Sequence, residues 1–155
     1  MNEVTLTTPQ TLFKHWQGHR AVTRGTLVLF PEDQLFSFQP APPMRSFGAL
    51  VSEMIGMIPD TLKGAETGDF SWSGTGDLTS KAALLEAWDT NTTLIDQAFK
   101  RIPESRWTET VEAFGFTQTL AEFVTYFIEN EIHHRAQGYV YLRLLKLEPP
   151  FFYPM

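Results

Sequence analysis

The stretch Thr119–Lys146, TLAEFVTYFIENEIHHRAQGYVYLRLLK, decides the fold. Thr119 and Glu122 stand three apart, the spacing at which a hydroxyl and a carboxylate close the first turn of a helix reciprocally. No breaker follows until Pro149 and Pro150, so the pattern predicts the longest helix of the chain, running to about Lys146. Advancing about 100° per residue from Leu120 puts Phe123 and Tyr141 near 300° and Phe127 and Leu145 near 340°. Asn130, near 280°, and His134, near 320°, then fall within the apolar stripe, one turn apart. A buried amide or imidazole without a partner costs about 1–3 kcal/mol. A facing helix, a water or an ion is therefore expected to satisfy both.

The i, i+4 spacing is also the one by which two side chains of a helix reach a single metal ion. Asn130-Glu131-Ile132-His133-His134 matches the zincin pattern His-Glu-x-x-His except that Asn replaces the first His. Glu131 thereby takes the place of the general base. His133 points about 100° away from His134, toward solvent or an interface.

Working outward, Thr8-Pro9 starts a first helix that Pro31 ends, with Leu12, Trp16, Leu27 and Phe30 at helical spacing. His19 and Thr23 share that face, so His19 is expected to line the same cavity as His134. Residues 31–45 carry four prolines and read as an extended connection. Ser46 caps a second helix with the stripe Phe47, Leu50, Val51, Met54, Met57 and Ile58, which Pro59 and Gly64 end or kink. Glu53 lies on the edge of that stripe and can offer a carboxylate to the interior. The glycines of 64–77 make a loop. Its Gly-Thr-Gly follows no strand and lacks the Lys-Ser/Thr of a phosphate-binding loop. Thr79 or Ser80 opens a third helix that Pro103 stops. Residues 107–117 read as a short hairpin or a wrapped connection, and the tail Phe151-Phe152-Tyr153 as an apolar segment packed down.

Four long helices with long connections predict an all-α four-helix bundle, one domain over residues 1–155. Apolar residues make up 43% of the chain, enough for a continuous core. The formal charge is −6 with no basic stripe, which disfavours nucleic acid and anionic membranes as partners. There is no cysteine, which excludes disulfides, thiolate ligands and a Cys nucleophile. Met1–Pro9 lacks the features of a signal peptide, and no run is apolar and long enough for a bilayer, so a cytoplasmic location is expected.

Met44-Arg45-Ser46-Phe47-Gly48, Thr119–Glu122 and above all Asn130–Gln137 resemble the DinB/YfiT-like family of metalloenzymes, whose usual pattern at the last stretch is His-Glu-x-His-His-Arg-Gly-Gln. The resemblance covers nearly the whole chain. It implies a four-helix bundle, a homodimer, and a divalent metal such as zinc, nickel or manganese held by three histidines. Carried over by position, those ligands fall on Glu53, Asn130 and His134, a degenerate set that favours oxygen-liking ions or abolishes binding. The resemblance further implies a metal-dependent transferase acting on a low-molecular-weight thiol or another small molecule, or a hydrolase-like enzyme. The loss of two histidines points equally to a metal-free, non-enzymatic dimer that acts as a binding or stress-response module. Without a metal, His134 is expected to hydrogen-bond to Glu53 or to a tyrosine. The His15/His19 pair has ligand spacing but no evident third ligand.

Overall fold

The computed structural model describes residues 7–74, 76 and 78–155. Thr75 of the Gly-Thr-Gly stretch and residues 1–6 of the signal-peptide reading lie outside them. Four helices form the molecule: α1 (Pro9–Leu29), α2 (Phe47–Thr67), α3 (Lys81–Arg101) and α4 (Leu120–Leu144). A 3₁₀ turn (Glu104–Thr108) and a hairpin of β1 (Thr110–Ala113) with β2 (Phe116–Thr119) join α3 to α4. The hairpin alternative for 107–117 is thus the one adopted. Its two-residue loop, Phe114-Gly115, has φ of 52° and 82°. Positive φ at both central residues matches the right-handed twist of the strands. The Phe114 ring stacks on Phe123 at 5.8 Å.

Each helix begins where a side chain can cap it. Thr8, Ser46, Ser80 and Thr119 accept from the backbone amides of Thr11, Ala49, Ala83 and Glu122, each satisfying one of the amides left without an intrahelical partner. α4 ends slightly earlier than the expected Lys146, because Lys146 turns to φ 64°. The amides of Lys146 and Leu147 then bond back to the carbonyls of Arg143 and Leu142. This closes the helix end in the way a glycine usually does.

Pro59 neither ends nor breaks α2, which runs on to Thr67. Proline removes the bond to the carbonyl four residues back, here that of Ile55. The Asn91 side-chain amide of α3 donates to this carbonyl at 2.8 Å. Asn91 is buried, so the replacement bond is shielded from water. Asn91→Leu keeps the volume and strands the Ile55 oxygen. It should destabilise the fold by about 1–3 kcal/mol in urea unfolding; a loss below the error of that measurement would refute this account of Pro59. At Gly64 the missing side chain admits the Phe70 ring, which a Cβ would meet at 2.2 Å.

Pairings across the bundle set its topology. Ile55 meets Asn91 and Glu66 meets Arg101, so α2 and α3 run parallel. Glu53 meets His134 and Met57 meets Asn130, so α2 and α4 are antiparallel. The order is up-down-down-up, and the 68–80 connection has to climb the length of the bundle. That is the reason it exceeds a hairpin loop.

The apolar core lies in two clusters. Leu12, Ile58, Ile95, Leu120 and Phe123 belong to one. Leu27, Phe30, Phe47, Leu84 and Tyr141 belong to the other. At mid-height, buried polar side chains from α1, α3 and α4 form a belt: His19, Arg20, Thr23, Asn91, Glu131, His134 and Arg135.

Candidate functional site

α4 presents two polar groups in opposite directions. Toward α2, His134 Nε2 lies 3.2 Å from Glu53 Oε1. The close approach of the two helices is set by Gly138, where a Cβ would stand 2.4 Å from the Phe47 ring. Arg45 sits one residue before the α2 cap. Its carbonyl accepts from the Tyr141 hydroxyl at 2.9 Å, and its guanidinium donates to Glu53 Oε2. Both carboxylate oxygens are thus engaged, one by a full cation.

His134 Nδ1 is buried without a partner. An unpaired acceptor there costs less than an unpaired N–H of a buried imidazolium. The ring is therefore neutral, with its proton on Nε2 and donated to Glu53. Burial lowers the His134 pKa against the pull of Glu53. Burial also opposes ionisation of Glu53, but Arg45, with His134, holds its carboxyl below the ordinary range. Arg45 and Glu53, but not His134, line a cleft of about 410 Å³ that is also walled by Phe36, Ala49, Ser52, Leu78 and Thr79.

Asn130 does not complete this group. It is half-buried, and its amide is turned to the Met57 sulfur at 3.8 Å. Among the described residues no three His, Cys, Asp or Glu side chains come together as a metal site. The expected Glu53/Asn130/His134 set therefore does not fit a tightly held divalent ion. An ion would have to share Glu53 with the Arg45 guanidinium, and two cations on one carboxylate repel.

Glu131 faces the other way, toward α1. Thr23 donates to its Oε1 at 2.6 Å and the Trp16 indole to its Oε2 at 3.1 Å. Arg20 Nη1 lies 3.8 Å from it. Burial pushes its pKa up, and the opposing pull of Arg20, Thr23 and Trp16 does not cancel that rise. A general base needs reach to substrate and a free lone pair. Glu131 is enclosed, with a donor on each oxygen, and lies on the side of α4 away from the cleft. The zincin-like string in which it was read is thus split between two faces.

The same count of about 100° per residue puts Glu131 near 20° and Arg135 near 60°, on either side of Val124 and Leu142 near 40°, which are also buried. That angular position is the sequence signal for a buried charged network. Arg20, missed from the sequence, stacks 4.0 Å over Trp88 and donates to the Trp88 carbonyl at 2.9 Å.

His19 also departs from expectation. It joins not His134 but Arg135, whose Nη2 lies 2.9 Å from His19 Nδ1. Its ring packs edge-on against His15 at 4.5 Å and Tyr153 at 6.0 Å. No third ligand joins the two histidines. Burial first, then Arg135 and His15, lowers the His19 pKa to about 4. The unfolded chain takes up that proton near the ordinary 6.5, so folding opposes protonation. The stability contribution is complete above about pH 6.5 and is lost as the pH falls toward 4. His134 is shifted in the same direction. Urea midpoints measured from pH 7.5 down to 4.5 should fall, with a loss on the order of 1–3 kcal/mol; a midpoint that holds level or rises would contradict the burial of these rings.

The fold and this belt define a class: a four-helix bundle with a buried polar centre between its helices. The DinB family profile matches residues 1–155, and the chain belongs to the DinB family. Several solved structures are similar, two of them DinB-like proteins from Bacillus. One is a DinB-like protein (YjoA) from Bacillus subtilis, 23% identical with a TM-score of 0.76, covering 92% of this chain and 96% of that one. The other is a DinB-like protein from Bacillus cereus, 20% identical with a TM-score of 0.74, covering 92% and 95%. These likenesses show the fold. No curated protein sequence matches the chain, and no described helix is long and apolar enough to cross a membrane.

Proposed function

We propose that this chain is a DinB-family binding module that works without a resident metal, its ligand site the cleft at Arg45 and Glu53, with Glu53 held from behind by His134. The observation that carries this reading is Arg45 on Glu53: a permanent cation stands on the carboxylate that a metal would need. The Arg45 and Glu53 side chains are partly exposed, and the apolar walls Phe36 and Leu78 with the hydroxyls of Ser52 and Thr79 suit a small molecule with one polar and one apolar part. A homodimer remains part of this reading.

One observation favours a second reading, a metal-dependent transferase or hydrolase acting on a low-molecular-weight thiol or another small molecule. Glu53 and His134, two of the three ligand positions, do meet across α2 and α4. Metal analysis of untagged protein, before and after soaking in zinc, nickel and manganese, separates the two. The metal-free reading expects less than about one ion per ten chains after dialysis, because one carboxylate and one imidazole are too few ligands for a closed site. A stoichiometry near one, lost in His134→Ala, would overturn it in favour of the enzyme.

A further inference from the structure

The tail after α4 does not pack down as expected: Phe151 and Phe152 stand 58% and 62% exposed. Bare apolar surface of that kind has no preference for the charge of a ligand. At the Glu53 cleft, apolar walls are joined to an ion pair, and the two partners of that pair are not equally engaged.

The walls are fixed before any ligand arrives. The Phe36 ring lies against Gly48, where a Cβ would stand 2.5 Å from it, and the Gly48 amide donates to the Leu35 carbonyl at 2.7 Å. Phe36 and Leu78 both pack on the core cluster that holds Phe47 and Leu50. Arg45 is anchored through its carbonyl, which accepts from the Tyr141 hydroxyl. A preformed site loses less entropy on binding.

Within the ion pair, Glu53 is met on both oxygens, by Arg45 and by His134. Arg45 gives only its Nη1 to that pair. Its Nε and Nη2 make no hydrogen bond to the described residues, and its side chain is 48% exposed against 34% for Glu53. Nε–H and Nη2–H form one edge of the guanidinium, the fork that fits a carboxylate through two parallel bonds. The backbone adds to the same sign. Arg45 immediately precedes Ser46, the cap of α2, and Ala49 of the first turn lines the cleft. The start of a helix carries a partial positive charge, which favours an anion and opposes a cation. Glu53 remains beside the site, so a dianion such as a phosphate monoester is repelled more than a monoanion.

We propose that the cleft takes a small monocarboxylate with an apolar tail, its carboxylate forked on Nε and Nη2 of Arg45 and its tail against Phe36 and Leu78. This rests on the Glu53 cleft being the ligand site, and adds the charge that the ligand carries.

Octanoate, octylamine and octanol share one tail and differ in charge. Each is titrated into the protein and followed by the backbone amide resonances, which give affinity and location together. Octanoate should bind roughly tenfold or more tightly than the other two, the worth of a hydrogen bond to a charged group. The amides of Ala49, Ser52 and Thr79 should move. Arg45→Met removes the fork and leaves Glu53, so octanoate should be lost and octylamine become the preferred probe. Arg45→Lys, a cation without the fork, should keep the preference for octanoate and weaken it several-fold. Equal binding of the three probes at these amides, or a preference for octylamine or octanol, overturns the carboxylate and leaves the cleft standing as a ligand site. Octanoate binding that survives Arg45→Met, or that moves only amides elsewhere, overturns it too. Binding of no probe at the cleft overturns both the carboxylate and the cleft.

Discussion

Glu131→Ala is expected to lower stability by about 3–5 kcal/mol, the cost of breaking a buried ion pair by removing one partner. The loss has several sources that act together. Arg20 is buried, and burial already lowers its pKa to about 10 against the pull of Glu131. Without the carboxylate its charge keeps only the more distant support of Asp89 and its neutral hydrogen-bond acceptors. Arg135 is buried too, and Glu131 is the main group that supports its charge. The Trp16 indole and the Thr23 hydroxyl lose the acceptor at 3.1 Å and 2.6 Å. Each stranded buried donor adds about 1–3 kcal/mol before relaxation. Glu131→Gln keeps the shape and one oxygen and should recover part of the loss. Chemical denaturation of the three proteins tests this. An alanine variant within about 1 kcal/mol of the parent would show that the network is hydrated or rearranged. If Glu131 were instead a base serving the cleft, its loss would alter ligand chemistry and leave stability nearly unchanged.

The second large effect is a gain. A variant carrying Arg45→Ala, Glu53→His and Asn130→His should bind about one zinc ion per chain, since three imidazoles with an open fourth position make a sufficient ligand set. The backbone needed is already in place. Glu53 and His134 meet at 3.2 Å. Asn130 lies one turn before His134 and touches Met57, one turn after Glu53. The role of Arg45 is tested by leaving it in. With Arg45 retained, the two added histidines should bind at least tenfold more weakly, because a guanidinium beside the site repels a divalent ion. Isothermal titration with zinc, together with the thermal shift on binding, reads both quantities. Equal affinity with and without Arg45 would remove the argument that this arginine stands in for the metal. No binding in the triple variant would mean that positions 53, 130 and 134 do not converge closely enough.

Much of the architecture was legible in the chain because it is written within a turn or two. Thr8-Pro9, Ser46, Ser80 and the Thr119/Glu122 pair all cap helices at the expected places. These signals need only the residues two or three positions away. The pairing of His134 with Glu53 was legible too, since a buried imidazole demands a partner and a carboxylate stood on the edge of the second helix.

Other features depended on which helices face each other and in which direction, and no local pattern carries that. Pro59 reads as a breaker until Asn91, thirty-two positions on in the sequence, supplies the missing donor. The length of the 68–80 connection is explained only once α2 and α3 prove to be parallel. Glu131 and His134 are three residues apart and both buried, yet one turns to α1 and the other to α2. Helix periodicity placed His134 in the interior and would have placed Glu131 there as well. The rotation of α4 between its neighbours then decided that one carboxylate faces the buried arginines while the other meets the imidazole. Local sequence thus determined where the helices begin and which faces turn inward, because capping and amphipathicity are short-range. The partner of each buried polar group was decided only by tertiary packing, because hydrogen bonds and ion pairs form across helices whose relative direction and rotation are set by the whole core.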